Sequence, residues 1–179
     1  VRADAARNQE AVLHAAGRLF DAAADPATVS MDQIAAAAGV GKGTLFRRFG
    51  DRAGLLKALY ELRAESMHAS LPLDRRADEQ PVEAVLRLLS VILRFKLDNR
   101  ALARALESLG GGSPYANSGY DRWHALLTEL VAEERGDDTA EYLAHALLAA
   151  VRSDLVEHLG EWPPEKLQAG LTALVRAVL

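Results

Sequence analysis

The segment Val29-Ser30-Met31-Asp32-Gln33-Ile34, followed by Gly39-Val40-Gly41, constrains the chain more than any other feature. Ser30 is a residue type that caps a helix N-terminus, and Gln33, three positions on, can reach back to the Ser30 backbone in a capping box. Val29 and Ile34 stand where a hydrophobic staple fixes the entry of the chain into that helix. The helix is short, running through Ala35 to Ala38, because Gly39-Val40-Gly41 supplies the permissive backbone of a tight turn. A second short helix follows, with Leu45 and Phe49 facing inward.

Apolar residues recur at helical spacing almost throughout the rest of the chain, with no convincing strict alternation, so the chain reads as all-α with about nine helices. A first helix carries Val12, Ala16, Leu19 and Phe20 on one face and stops near Asp25-Pro26. Asp51 can cap a fourth helix with Leu55, Leu59 and Leu62 inward, continuing to about Leu71. Pro72 and the charged run Asp74 to Glu79 form a connection. From Pro81, Val82, Val85, Leu86, Leu89 and Leu93 make one stripe and Leu88, Val91 and Phe95 another, which predicts a central helix. A helix over about Arg100 to Leu109 precedes the break Gly110 to Pro114. Trp123, Leu126, Leu127, Leu130 and Val131 mark a helix ending before Gly136. A long helix over Thr139 to Leu159 and a last one carrying Leu167, Leu171, Leu174 and Val178 complete the chain.

Half of the 179 residues are hydrophobic and 26% are charged, the profile of a globular protein with material for a core. No apolar run reaches the length of a membrane span and the first ten residues are too polar for a signal peptide, so a cytoplasmic location and no membrane partner are expected. The chain has no cysteine, which removes disulfides, thiolate catalysis and thiolate-bound zinc. The net charge of −4 is unevenly spread. Residues 1–70 hold nine Lys and Arg against eight Asp and Glu, whereas residues 71–179 hold 12 against 17. Within residues 31–57, Lys42, Arg47, Arg48, Arg52 and Lys57 face only Asp32 and Asp51. That is the pattern of a small basic module on a larger acidic body.

Two short helices about a Gly-Val-Gly turn, the second one basic, form a helix-turn-helix pattern whose natural use is to place a helix in the major groove of DNA. By spacing alone a plain three-helix core fits equally well. Lys42, Arg47, Arg48 and Arg52 supply cations for phosphates, and Thr44 offers a hydroxyl and a methyl at the leading end of the second helix. Gly41-Lys42-Gly43-Thr44 also looks like the end of a phosphate-binding loop. Position 36 is alanine, however, and the preceding segment is helical, which argues against nucleotide binding. No catalytic spacing is apparent, and neither enzymatic activity nor a cofactor is expected.

The stretch from Val29 to Leu59, with the core Ile34-Ala35-Ala36-Ala37-Ala38-Gly39-Val40-Gly41-Lys42-Gly43-Thr44-Leu45-Phe46-Arg47-Arg48-Phe49, resembles the DNA-binding domain of the tetracycline-repressor (TetR) family of bacterial transcription regulators. The resemblance covers about residues 7–65. It implies an N-terminal helix-turn-helix DNA-binding domain over residues 1–50. It also implies a C-terminal helical-bundle domain over residues 51–179 that binds a small-molecule effector and dimerises. Its implied DNA contacts are Ser30, Lys42, Gly43, Thr44, Phe46, Arg47, Arg48 and Arg52. Lys42 and Arg52 would hold phosphate, and Gly43 would admit the DNA backbone. Phe46 replaces a usual tyrosine and lacks its hydroxyl, and Gly41 replaces a frequent serine or threonine. Gly54 stands where an acidic or larger residue is common, which suggests a weaker cap on the fourth helix.

In the larger part, Met67, Phe95, Trp123, His124, Asp154 and His158 are candidate linings of an effector pocket. Leu147, Ala150 and Val151 put Asp154 on an inward stripe, and a buried carboxylate needs a partner. A surface acid paired with Arg152 or His158 is the plainer alternative, as core packing is for the aromatic residues. His124 and His158 are the histidines placed to meet deep in the fold, but a metal site is not expected. The last two helices carry small residues, Ala144, Ala146, Ala149, Ala150 and Ala173. In the family the corresponding pair forms a homodimer interface, so that two recognition helices read a palindromic operator. The function implied is a ligand-responsive repressor. The alternative is a helical ligand-binding or protein-interaction domain whose DNA binding has degenerated.

Overall fold

The computed structural model describes residues 2–23, 28–70, 78–108 and 118–179. The described residues form ten α-helices: α1 (Arg2–Ala22), α2 (Met31–Ala37), α3 (Lys42–Phe49), α4 (Arg52–Ser70), α5 (Pro81–Asp98), α6 (Arg100–Ser108), α7 (Ser118–Arg135), α8 (Asp137–Ala149), α9 (Ser153–His158) and α10 (Pro164–Val178). The fold is all-α, as the spacing predicts. Asp25-Pro26, Pro72 and the Gly110 to Pro114 break lie outside the described residues.

The chain divides into two compact units, residues 1–70 with 101–111, and residues 71–100 with 112–179. The first unit therefore extends past the expected boundary at residue 50. The reason is packing: Leu55, Leu56 and Leu59 of α4 are buried with Val12, Leu13, Ala16 and Phe20 of α1, Ile34 of α2 and Leu45 of α3. Leu102 of α6 is buried in the same cluster, with Ala105 and Leu106 against it.

The second unit is built on α5, which buries Pro81, Ala84, Val85, Leu86, Leu88, Leu89, Ile92, Leu93 and Phe95. Such burial around most of its circumference marks it as the central helix, and α7, α9 and α10 pack against it. The predicted helix over residues 139–159 is two helices instead. Arg152 adopts an extended conformation at φ −66° and ψ 148°, which ends the helical run and starts α9. In α10 the buried set is Leu167, Leu171 and Val175. Leu174, expected inward, is 38% exposed.

Candidate nucleic-acid interface

The capping box forms as the sequence requires. The Ser30 hydroxyl accepts from the Gln33 backbone N–H at 3.2 Å, and the Ser30 N–H donates to Gln33 Oε1 at 2.8 Å. Val29 and Ile34, the expected staple, are both buried. Gly39 takes φ +66°, the left-handed conformation that a residue with a Cβ adopts only at a cost, and the chain turns there into α3. Gly50 does the same at φ +77° after α3. Asp51 then caps α4 by accepting from the Gly54 N–H at 2.8 Å. The cap expected to be weak is thus made. A Cβ at position 54 would lie 2.0 Å from the Phe49 carbonyl oxygen, so glycine is what this close approach demands.

Only Leu45 of α3 is buried, and Phe49 is half-buried. Lys42, Gly43, Thr44, Phe46, Arg47 and Arg48 are exposed along the rest of the helix. These six expected contacts therefore share one solvent-facing helix. Gly43 has open space around it: nothing lies within 4 Å of a Cβ built there. The protein's own packing does not ask for this glycine. Phe46, at 38% exposure, is a large apolar ring on a polar surface.

The cations differ in what holds them. Lys42 Nζ meets Asp32 Oδ1 at 2.7 Å, and the Phe46 ring centroid is 5.9 Å away. Arg48 Nε donates to Gln9 Oε1 of α1 at 3.0 Å. Arg52 donates to the Val29 carbonyl and lies over the Phe20 ring, 5.6 Å from its centroid. Half-buried and bonded in this way, Arg52 braces the start of α4 against the residue before the Ser30 cap. Arg47 makes no hydrogen bond or ion pair among the described residues. Sequence reasoning missed Gln9 and Asp32 as partners. Their bonds span 39 and ten positions, and no local spacing rule links residues so far apart.

The six residues expected to line an effector pocket do not behave alike. Met67 is half-buried on α4 and belongs to the first unit. Phe95 and Trp123 are buried in the second. Asp154 is exposed, because the break at residues 150–152 removes it from the inward stripe on which it was expected. Arg152 Nη2 donates to Asp154 Oδ2 at 2.7 Å, and this bond holds the Asp154 carboxyl below the usual carboxylate range. His158 is exposed on α9. His124 does not meet it. Instead its ring stacks on His145 of α8 with centroids 3.8 Å apart, and the Tyr120 hydroxyl lies 2.5 Å from His145 Nδ1. Among the described residues no group of three or more His, Asp or Glu is placed to hold a metal ion.

Residues 12–59 match the profile of the bacterial regulatory proteins of the tetR family. The N-terminal domain is that of the tetR family. This tetR-family domain coincides with the capped α2, the turn and the exposed α3 described above. A transcriptional regulator of the helix-turn-helix type from Staphylococcus aureus (strain USA300) is 29% identical over 108 residues, which are 60% of this chain and 58% of the relative. Another from Mycobacterium tuberculosis (strain CDC 1551 / Oshkosh) is 35% identical over 92 residues, 51% of this chain and 45% of the relative. The matches span 58% and 45% of these relatives' own lengths, about half. A TetR transcriptional regulator from Rhodococcus sp. RHA1 shares the fold over 97% of this chain and 96% of its own, with a TM-score of 0.63 and 20% identity. So does the secondary repressor of a multidrug efflux pump of Pseudomonas aeruginosa, over 98% and 97%, with a TM-score of 0.57 and 19% identity. No helix among the described residues is long and apolar enough to cross a membrane.

Proposed function

We propose that the chain is a ligand-responsive transcription regulator, a repressor, that binds a palindromic DNA operator as a homodimer in the cytoplasm. The observation that carries this reading is α3. It is a helix of the tetR-family domain whose outward residues are Lys42, Gly43, Thr44, Phe46, Arg47 and Arg48, with one buried leucine anchoring it. Exposed cations supply the salt-dependent affinity for phosphates, and the unpartnered Arg47 is the group free to read guanine edges in the major groove. The Phe46 ring suits a thymine methyl, and Gly43 leaves the space that an approaching DNA backbone needs. Arg48 ties α3 to α1 through Gln9, and Arg52 braces the start of α4 through Val29.

A single eight-residue helix reads few base pairs, and a palindrome read by two such helices about 34 to 36 Å apart requires a dimer. The surface that supports one lies on α8 and α10. Tyr142 is 78% exposed, and Ala146, Ala149, Ala173 and Leu174 also face solvent. Of the small residues expected there, Ala144 is buried inside the unit and Ala150 is half-buried. An apolar effector fits the reading, since the second unit buries Phe95 and Trp123 together with many leucines and the Pseudomonas neighbour represses a multidrug efflux pump. The effector would act by binding one of two conformations more tightly, and the shift in operator binding cannot exceed that difference in affinity.

Selection of duplexes from a random pool, followed by gel-shift titration at several salt concentrations, tests the reading. Enrichment of a palindrome is the expected result. If no sequence is enriched even at low salt, the protein is instead a helical binding domain that has lost DNA recognition.

A further inference from the structure

Asp32 is the only acidic residue between positions 31 and 50, a stretch that carries Lys42, Arg47 and Arg48. It lies in the first turn of α2, and its two carboxylate oxygens sit 2.7 and 2.9 Å from Lys42 Nζ at the first position of α3. The side chains are 64% and 60% exposed, so solvent screens the pair and the fold gains little from it. Yet the lysine at the leading end of the proposed recognition helix is already occupied by an anion with two oxygens, the same donor-acceptor chemistry that a phosphate diester offers.

We propose that Asp32 is an internal stand-in for a DNA phosphate at Lys42, a positioning residue that holds the ammonium at the tip of α3 until a phosphate displaces it. The proposal rests on the DNA-binding reading above. It has a quantitative consequence. Once displaced, the carboxylate remains beside the phosphate that replaced it, so Lys42 and Asp32 together add no net charge to the interface. The salt dependence of binding then counts one cation fewer than the exposed lysines and arginines suggest.

The test uses the full chain, random and selected duplexes, and the variants Asp32→Asn, Asp32→Glu and Lys42→Ala. Asp32→Asn should steepen the slope of log affinity against log salt by about 0.9, the value for one more phosphate neutralised. Affinity for random DNA at low salt should rise roughly two- to fivefold, the range of an exposed ion pair. Asp32→Glu keeps the charge and should keep the wild-type slope. In a Lys42→Ala background Asp32→Asn should change nothing. Should Asp32→Asn fail to fold by circular dichroism, Asp32→Ser carries the same expectation. A wild-type slope in Asp32→Asn overturns the proposal while leaving the DNA-binding reading intact. An equal steepening without Lys42 also overturns it, since Asp32 would then act by general charge alone. If neither wild type nor variants bind any duplex at low salt, the DNA-binding reading fails and the proposal with it.

Discussion

The two units expose opposite kinds of surface. In the first, α3 turns Lys42, Arg47 and Arg48 to solvent and keeps only Leu45 fully inside. In the second, α8 and α10 turn Tyr142, Ala146, Ala149 and Leu174 outward and bury Ala144, Leu147, Leu171 and Val175. A basic polar face suits a polyanion. A face of alanines flanked by one large aromatic suits a close helical partner, because small side chains let backbones approach and the aromatic supplies contact area. Under the proposed function the difference would separate reading DNA from assembling the reader, and substitutions in each unit can be aimed at one task.

The largest effects come from the cores that hold each surface in place. Leu45→Ala and Leu127→Ala each remove a side chain that is at most 1% exposed and should cost about 2 to 5 kcal/mol in denaturant unfolding. Leu45→Ala should abolish DNA binding, and Leu127→Ala should lower a separate unfolding transition. One common transition shifted equally by both would break the division into units. Next is Tyr142→Ala, which should weaken self-association by about 2 kcal/mol, the loss typical of an aromatic anchor at an interface. Analytical ultracentrifugation reads this directly, and an unchanged oligomeric state would remove α8 from the interface.

Arg47→Ala should cost roughly 1 to 3 kcal/mol on the selected operator and flatten the preference among its variants. Uniform weakening on all sequences would make Arg47 a phosphate contact. Ser30→Ala removes the capping acceptor of α2 and should lower stability by about 1 kcal/mol in the same unfolding assay. The smallest effect belongs to Asp154. Its folded-state pKa is depressed by Arg152, so its contribution is present above the unfolded value of about 3.9 and is lost as pH falls through the lower folded value. The pair is exposed and screened, so Asp154→Asn should flatten the acid limb of stability by less than about 0.5 kcal/mol. A larger change would show that the Arg152–Asp154 pair, which follows the helix break, fastens α9.

Legibility from sequence followed the range of the interaction. The capping box at Ser30 and Gln33, the turn at Gly39 and the Asp51 cap depend on residues three or four apart, and all formed as local chemistry dictates. The central position of α5 was equally plain, since a helix apolar around most of its circumference must be covered on most sides. By contrast, Ala150-Val151-Arg152 contains neither glycine nor proline, and the end of α8 there was invisible in the pattern. Asp154 was misplaced for that reason. The inward register of α10 was also missed: Leu174 and Val175 are equally apolar, and only contact with the rest of the unit selects Val175.

The sequence by itself determined that this chain is helical, that its N-terminal part holds a capped short helix followed by a glycine turn, and which residues stand on α3. Those properties follow from hydrogen bonds and side-chain periods that close within one or two turns. Only the tertiary structure decided which cations remain available. Arg48 is tied to Gln9, Arg52 to Val29 and Lys42 to Asp32, while Arg47 stays free of such ties among the described residues. An ion pair or a side-chain hydrogen bond between distant segments depends on where folding brings them, and no pattern along the chain encodes that distance.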